Sequence, residues 1–532
     1  SLTLFAQIRG KITDKAGNPV PYTTVMIEHT YNGTSANDNG HYELSVKEKG
    51  TYTVIFQSLG YKTKKVTKDV QQLPYTIDVT LEDENYTLAE VVIGPKKEDP
   101  AYAIIRNAIK NRKANSHKTD KYEADFYSRG IFRAKNIPKK FMGMEVGDFD
   151  GALDSTGSGI LYLSETVSKI AFEKPNKIKE EILASKVSGD DNGFSYNTAQ
   201  GTNYDFYENY VDMGINMISP IADNALNYYK YKLESFFTDE HNQLINKIKV
   251  TARRDKEPVF EGYLYIVEDT WAIYAVELNS KGYRMQQPIL ENIAFTQNFH
   301  YNPNTKIWAK NQQTIDFKAA IFGMGFTGKF THVFSNYKFR DQFEKKTFTN
   351  EIAKIVKDAN KKDTIFWNES RPIPLTEEEV NDYQKKDSIQ TIRKSEVYLD
   401  SLDAKRNKFK ITKLITGYTY RDSYHKWSAS YKGLLNFTPL GFNTVQGWNF
   451  DSGFSFNKRN EEKGTYTAVN SVFNYGFAEE RLRVNGSFYH RFNTTNYRAI
   501  SASGGSSINQ FNASNPISNL VNSVSTLFFK DN

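Results

Sequence analysis

Hydrophobic and β-branched residues come in short runs over the first eighty positions, and turn-forming residues separate the runs. The runs occupy positions 8–14, 22–27, 41–46, 52–56 and 77–81. Gly17-Asn18-Pro19 and Asn37-Asp38-Asn39-Gly40 interrupt them, and glycine supplies the positive φ that tight turns need. Strand-forming runs between such turns are typical of an all-β sandwich, which we predict for residues 8–93.

A helical pattern follows the sandwich, and β patterns dominate beyond it. Pro100 stands in the first turn of the predicted helix, and Tyr102, Ile105 and Ile109 recur on one side of it. From 122 to 339 the apolar residues mostly alternate as in strands, with helical pieces predicted at 205–217 and 222–231. Residues 94–340 are therefore predicted to form a helix and an antiparallel sheet or half-barrel.

The segment 341–410 is charged and poor in aromatic residues, so we predict a helical connector. Residues 367–375 are predicted to be extended. Thr376 and Glu379 then have the spacing of a capping box, which starts a helix that runs to about residue 402, unbroken or in two pieces.

Strand patterns return in the last segment, 411–532, in a different style. Val484, Gly486 and Phe488 alternate with Asn485 and Ser487 in one of several long neighbouring runs. Runs of about ten alternating residues are typical of membrane β-barrels. Only about five or six such strands are present, whereas closure needs at least eight. The strands therefore belong to a truncated barrel, join a partner, or form a soluble sheet.

The predicted fold class is thus mainly β. It comprises an N-terminal β-sandwich, a middle antiparallel β-sheet or half-barrel with helices, a helical connector, and incomplete C-terminal strands of the outer-membrane β-barrel type. Tyr 34, Phe 36 and Gly 32 among 532 residues agree with β structure. The sequence contains no run of 18 apolar residues, the length that would predict a membrane-spanning helix.

The apolar start, residues 1–7, resembles the tail of a signal peptide, the alternative being an N-terminal tail or strand. The absence of Cys excludes disulfides and thiolate metal sites. A net charge of +7 is small for this length. It is compatible with outer-membrane lipid or lipopolysaccharide surfaces and does not favour nucleic acid.

Local motifs give no support to catalysis. Gly323-Met324-Gly325-Phe326-Thr327-Gly328 fits G-x-G-x-x-G, but strand-like residues follow it where a dinucleotide site needs a helix. Acidic stretches at 148–154 and 190–193 lack a complete calcium loop, and polar turns account for them better. The eight histidines form no zinc motif. We predict no catalytic, cofactor-binding or metal-binding residue and a non-enzymatic protein.

The first stretch resembles the carboxypeptidase-regulatory-like domain. The residues that carry this resemblance are GKITDKAGNPVPYTTV from Gly10, NDNGHYEL from Asn37, and GTYTVIFQSLGY from Gly50. The resemblance implies a non-catalytic β-sandwich, which in one bacterial lineage is the periplasmic front end of SusC-like outer-membrane receptors.

The next segment resembles the L-x-E-V-V-V sequence that follows this module in SusC-like receptors. Its predicted partner-binding residues are Leu88, Glu90, Val91, Val92 and Ile93. The resemblance implies strand addition by the energy-coupling protein TonB. The alternative, which the residues favour, is a last strand of the sandwich or an extended linker.

The connector resembles a segment of an outer-membrane protein family of unknown function, in which a carboxypeptidase-regulatory-like domain precedes a β-rich region and a C-terminal barrel. The residues that carry it are Trp367, Arg371, Pro372, Pro374, Leu375, Glu378, Tyr383, Asp387 and Ser388. The family implies no reaction and no catalytic residue.

These patterns lead to three hypotheses about function. The first is a scaffold or accessory subunit of an outer-membrane protein assembly or transport complex, with a large periplasmic portion and outer-membrane or periplasmic protein partners. The second is a TonB-coupled outer-membrane transporter. The third is a lipid or lipoprotein carrier, because the middle region resembles the half-barrel of outer-membrane lipoprotein carriers and such a half-barrel offers a groove.

Overall fold

The structure is a computed structural model that describes residues 7–46, 48–88, 98–141, 144–145, 149, 151–190, 193, 195, 197–434, 441–443, 445–494 and 496–508. The chain divides into two compact units, Ser1–Ile389 and Gln390–Asn532. The protein is mainly β, as predicted.

Eight strands build the N-terminal sandwich. They are β1 (Gln7–Thr13), β2 (Thr24–Ile27), β3 (Gly33–Ser35), β4 (His41–Ser45), β5 (Gly50–Gln57), β6 (Lys64–Val70), β7 (Tyr75–Thr76) and β8 (Val79–Thr80). One sheet has the order β4-β1-β7, with β8 also on β1, and the other has the order β3-β2-β5-β6. Ile8, Val25, Leu44 and Phe56 are fully buried between the sheets, so the sandwich has a hydrophobic core of its own.

A twelve-stranded sheet dominates the rest of the first unit. The strands of this region are β9 (Thr87–Leu88), β10 (Lys121–Lys135), β11 (Lys140–Phe141), β12 (Met144–Glu145), β13 (Gly159–Glu173), β14 (Lys177–Val187), β15 (Tyr210–Asp212), β16 (Asn216–Ile218), β17 (Tyr229–Thr238), β18 (Leu244–Ala252), β19 (Glu261–Val267), β20 (Ile273–Lys281), β21 (Leu290–Asn302), β22 (Ile307–Ile321), β23 (Met324–Phe339) and β24 (Ala353–Ile355). The order is β24-β14-β13-β10-β23-β22-β21-β20-β19-β18-β17-β9, and β11–β12 and β15–β16 form separate hairpins. The predicted antiparallel sheet is therefore present as an open sheet.

One face of this sheet is apolar and is covered by helix α1 (Pro100–His117). Asp99 caps the helix, since its carboxylate accepts the N–H of Ala101 at 2.9 Å. Ile105 and Ala108 are fully buried. They belong to the same core cluster as Ile248, Leu264 and Val276, which lie opposite one another on β18, β19 and β20. Periodic apolar positions on helix and strands thus meet in one core.

The helical pieces predicted at 205–217 and 222–231 are wrong. Residues 210–218 form the β15–β16 hairpin, with Gly214 at φ 80°, and Ala225–Asn227 forms a 3-10 turn before β17. Val211 and Met217 lie directly opposite one another in this hairpin, and both are buried. Residues six positions apart lie about 120° apart on a helix, so the turn at Gly214 is what brings both side chains to the core.

The opposite face of the large sheet is polar across its middle. Glu165, Arg129, Thr331, Thr314 and Thr296 lie opposite one another on β13, β10, β23, β22 and β21. The sandwich lies on this polar face, where the side chain of Asn311 donates to Thr24 Oγ1 at 2.9 Å and Lys329 pairs with Asp38 at 3.3 Å. The sandwich is thus attached through a hydrogen bond and an ion pair, to which Tyr31 adds edge contacts with the rings of Tyr337 and Phe339.

The connector is helical, although it differs from the prediction at its start. Its helices are α2 (Thr364–Ser370), α3 (Glu377–Lys394), α4 (Glu396–Arg406) and α5 (Thr412–Thr416). The prediction of an extended segment over 367–375 is wrong for its first four residues, because Asp363 caps α2 through the N–H of Phe366 at 2.8 Å. None of the helices in the described residues is long and apolar enough to cross a membrane.

The predicted capping box is confirmed. The N–H of Thr376 donates to Glu379 Oε2 at 2.8 Å, and the N–H of Glu379 donates to Thr376 Oγ1 at 3.3 Å. The helix is broken at Ser395, which caps α4.

The second unit contains a seven-stranded antiparallel sheet. Its strands are β25 (Tyr418–Asp422), β26 (Trp427–Tyr431), β27 (Gly441–Asn443), β28 (Gly447–Asn460), β29 (Thr465–Gly476), β30 (Arg481–Arg491) and β31 (Ala499–Gly505). The order is β25-β26-β28-β29-β30-β31, with β27 also on β28. Long neighbouring strands are thus present as predicted, and the sheet is open within the described residues.

The glycines at 323–328 lie in and just after a turn between two strands, as expected. Gly323 has φ 81° between β22 and β23, where no helix follows. A Cβ on Gly328 would lie 2.1 Å from the Phe317 ring, so this glycine allows close packing between paired strands.

Candidate functional site

The connector arginine binds a buried carboxylate in the large sheet. Glu165 points from β13, and none of its side chain is exposed to solvent. Arg371 Nε donates to Glu165 Oε1 at 2.6 Å and Arg371 Nη2 donates to Oε2 at 2.8 Å. This two-bond geometry fixes both the position and the orientation of the guanidinium.

Two tyrosines complete the shell of donors around this carboxylate. Tyr127 Oη, from β10, donates to Glu165 Oε1 at 2.6 Å, and Tyr383 Oη, from α3, donates to Oε2 at 3.1 Å. Four donors, from β10, Arg371 and α3, therefore meet the one carboxylate of β13. A buried carboxylate charge requires hydrogen-bond donors of this kind to replace those of water.

The electrostatics of the cluster follow from this geometry. Burial alone would raise the pKa of Glu165, but Arg371 above all, together with Arg129 and Tyr127, lowers that pKa to about 2. Burial, and then the negative charge of Glu165, raise the pKa of the Tyr127 and Tyr383 hydroxyls. The cluster thus holds one anion and neutral phenols at neutral pH.

A second buried ion pair lies beside the first. Arg129 Nη1 lies 3.3 Å from Glu379 Oε2, and both side chains are less than a tenth exposed. The same guanidinium donates to the carbonyl of Pro374 at 3.2 Å. The capping-box carboxylate at the start of α3 is therefore also an anchor to the sheet. We call Tyr127, Arg129, Glu165, Arg371, Glu379 and Tyr383 the connector cluster.

The sandwich is hydrogen-bonded to the same connector segment. Thr34 Oγ1 donates to the carbonyl of Pro372, and Asn37 Nδ2 donates to that of Pro374 at 3.2 Å. Gln7 and Ser45 donate to the carbonyls of Asn368 and Glu369 in helix α2, at 2.7 and 3.3 Å. The connector is thus held on one side by charges of the sheet and on the other by side chains of the sandwich.

The structure places the remaining predicted connector residues around this cluster. Trp367 is buried, and the Arg371 guanidinium lies 5.5 Å from its ring centroid. Leu375 packs with Tyr383 against the sheet, and Asp387 lies 3.9 Å from Lys186. The family-like connector residues therefore lie in one contact region.

Sequence analysis missed the sheet half of the cluster. Glu165, Arg129 and Tyr127 lie more than 200 residues before their connector partners. A signal was present in β13, where Glu165 stands between Ser164 and Thr166 in the interior of a predicted strand. A charged residue at that position indicates a buried partner, but the pattern does not identify which one.

The predicted partner-binding segment is described only at its beginning. Leu88 and Thr87 form β9, which pairs with Ser235 and Phe236 at the edge of β17. Glu90, Val91, Val92 and Ile93 lie outside the described residues. Strand addition by a partner at Leu88 would compete with this pairing.

The chemistry of the connector cluster is that of attachment. Each carboxylate of the cluster contacts a guanidinium, so its charges are mutually neutralised in a closed site. Across the described part of the chain, no group of three or more His, Asp or Glu lies close enough to bind a metal ion. In the predicted acidic loop, Asp154 Oδ1 accepts local donors from Thr156 and Ser158.

The depressed pKa of Glu165 gives a testable pH dependence. Its pKa is about 2 in the folded protein against 4.5 ordinarily, so its stabilisation is complete above pH 4.5 and is lost as pH falls toward 2. We expect Glu165→Gln to lower the free energy of unfolding most at neutral pH, and the deficit to shrink below pH 4.5. Urea unfolding of both proteins at several pH values measures this difference.

The control for this experiment is Glu123→Gln, which removes an exposed carboxylate that pairs with Arg340 at 2.8 Å. Its deficit should be small at every pH. A Glu165→Gln deficit that stays constant down to pH 2 would contradict the assignment of a charged, stabilising Glu165.

Comparison with protein families shows three matches along the chain. Residues 8–93 match the CarboxypepD_reg-like domain, which confirms the N-terminal resemblance. Residues 104–337 match a family of unknown function (DUF5686), and residues 412–532 match the C-terminal domain of that family. The chain therefore carries a CarboxypepD_reg-like domain followed by DUF5686 and its C-terminal domain.

Solved structures give only distant similarity. A LolA superfamily protein from Nitrosomonas europaea is 11% identical with a TM-score of 0.18, covering 47% of this chain and 98% of that one. A DUF1329 family protein from Desulfovibrio piger is 9% identical with a TM-score of 0.19, covering 48% and 98%. These TM-scores are too low to show a shared fold. The comparison with curated proteins returned no match.

Proposed function

We propose that this protein is a non-enzymatic component of the outer membrane. In this proposal the strands of the second unit contact the apolar phase of the membrane. The first unit is a periplasmic scaffold or accessory module for an outer-membrane protein assembly or transport complex. The observation that carries the proposal is the separation of apolar and polar side chains on the two faces of the seven-stranded sheet.

Strand register defines these two faces. Phe456, Val469 and Phe488 lie directly opposite one another on β28, β29 and β30. One face carries the apolar residues Phe450, Phe454, Phe456, Val469, Phe473, Leu482, Val484, Phe488 and Ile500, with Ser452, Lys458, Thr467, Ser471 and His490 among them. The other face carries Asp451, Ser455, Asn457, Asn470, Asn474, Asn485, Ser487, Ser501 and Ser503. We call the first set the apolar face of the second unit.

Exposure and strand length support a membrane environment for this face. Phe454 is 55% exposed, Leu482 58% and Ile500 55%, although a soluble sheet normally covers its apolar side. The strands β28, β29 and β30 have 14, 12 and 11 residues. A tilted strand needs about 9–11 residues to cross the hydrocarbon core. Each of these strands is long enough.

The connector cluster supports the scaffold part of the proposal. It joins the large sheet to the connector and to the start of α3 through buried, paired contacts, and Asn37 of the sandwich donates to the connector at Pro374. An accessory module that presents surfaces to partner proteins needs such fixed geometry.

The lipid-carrier alternative has less support. A carrier needs free space on the apolar face of its sheet. Here Ile105 and Ala108 of α1, together with Phe206 and Ile221, are almost completely buried in the core against that face. Side chains of the chain itself therefore fill the region where a lipid would bind.

The proposal predicts how the protein fractionates. We expect the full gene product to remain in the outer-membrane fraction after carbonate extraction, and its gel mobility to change on boiling, as for membrane-embedded strands. Release by carbonate together with unchanged mobility would contradict membrane insertion, and the apolar face would then be a protein-docking surface.

A further inference from the structure

A polar groove of about 480 Å³ lies between the sandwich and the connector. Its floor is the outer surface of the β4-β1-β7 sheet. Pro374 and Leu375 of the connector also line it. This site is distinct from the connector cluster, which lies in the sheet beneath.

Three cationic or ionisable side chains line the floor without partners. Arg9 and Lys11 lie on the same face of β1, two residues apart, which separates them by roughly 6.6 Å along the strand. His41 lies directly opposite Lys11 on β4. Within the described part of the chain, none of these three side chains makes a hydrogen bond or an ion pair.

Both carboxylates of the groove are partly offset by other groups. Asp78 Oδ1 accepts the backbone N–H of Lys11 at 2.8 Å. Burial raises the pKa of Glu43, and positive charge from Arg371 and Arg9 opposes that rise. Arg9 lies directly opposite Glu43 on β4, but among the described residues the two side chains make no hydrogen bond or ion pair, so the side-chain donors of Arg9 and Lys11 stay unpaired.

We propose that this groove binds an anionic group, a phosphate or a carboxylate, of a small ligand between Arg9, Lys11 and His41. A guanidinium and an ammonium at this separation can both donate to one tetrahedral or planar anion. Thr76, directly beside Arg9 on β7, adds a hydroxyl to the floor. The ligand would also contact Leu375, so binding in the groove would affect the connector.

The absence of Cys from the chain allows a sensitive test. Asn39→Cys, at an exposed residue between the lining residues Asn37 and His41, is labelled with a solvent-sensitive fluorophore and reports on the groove at a single site without changing its lining. The full chain is titrated with inorganic phosphate and, separately, with citrate at constant ionic strength. We expect saturable binding. The anion that binds more tightly, phosphate or citrate, indicates whether the ligand of this groove carries a phosphate or a carboxylate.

Variants identify the binding residues. Arg9→Ala with Lys11→Ala should weaken binding about tenfold or more, because two charge-assisted contacts are lost. Both side chains are exposed and unpaired, so the unfolding midpoint should stay unchanged. Lys68→Ala, at another exposed and unpaired lysine of the sandwich, is the matched control and should bind as the parent does.

Three results would overturn the proposal. They are no saturable signal with either anion, equal binding by the Arg9→Ala/Lys11→Ala protein, and equal weakening by Lys68→Ala, which would indicate general attraction to positive charge. Glu43→Gln should bind more tightly. Weaker binding by Glu43→Gln would mean that the groove takes cations instead.

Discussion

Arg371→Ala is expected to lower the free energy of unfolding of the first unit by about 3–5 kcal/mol, the range found when one partner of a buried ion pair is removed. The substitution leaves the Glu165 carboxylate, which is wholly buried, with only the two tyrosine hydroxyls as donors. It also frees the segment that holds Thr34 and Asn37 of the sandwich. Urea unfolding followed by tryptophan fluorescence measures the change, since Trp367 lies against the Arg371 guanidinium.

Two further proteins make this result specific. Arg340→Ala removes an arginine that is 45% exposed and pairs with Glu123, so it should cost less than about 1 kcal/mol. In the double variant Glu165→Gln/Arg371→Met no charge of that pair remains buried, so it should be more stable than Arg371→Ala. If Arg371→Ala costs no more than Arg340→Ala, the connector is not anchored by this pair.

Phe488→Lys is expected to remove most of the second unit from the membrane. Phe488 lies on the apolar face, and a lysine near the middle of a lipid-facing strand costs about 2–4 kcal/mol of insertion free energy. The amount of heat-modifiable, carbonate-resistant protein in the outer-membrane fraction measures the effect.

Ser487→Lys is the matched control, because Ser487 is the preceding residue on the same strand and belongs to the polar face. It should fractionate like the unsubstituted protein. Equal loss from both variants would indicate that lysine disturbs the strand itself. No loss from Phe488→Lys would mean that the apolar face does not contact lipid, which would contradict the proposed function.

Local features of the chain were predictable because they depend on neighbouring residues. Turns at Gly17 and Gly40, the cap at Asp99 and the capping box at Thr376 all rest on φ angles or hydrogen bonds within a few positions. The alternation in β30 likewise needs only the two-residue period of a strand. These features established a mainly β protein with a helical connector.

The apolar pattern was insufficient to predict secondary structure where a turn or a helix cap decided it. A helix was predicted over 205–217, but the turn at Gly214 places Val211 and Met217 opposite one another in a hairpin, where both are buried. Trp367 became helical because Asp363 caps α2, a signal that the extended interpretation overlooked. In both places the choice depended on contacts or caps outside the apolar pattern.

The sequence by itself determined the order of the elements, the two-faced strands of the second unit and the identity of the connector. Only the tertiary structure decided what the connector does. Arg371 and Glu165 are separated by 206 positions, and they meet because β10 and β13 pair in one register and the sandwich and sheet enclose the segment between them. The sequence shows that a charged residue stands within a predicted strand, but it does not show the residue that neutralises the charge. Folding determines that partner, because only the folded chain buries both charged side chains next to each other.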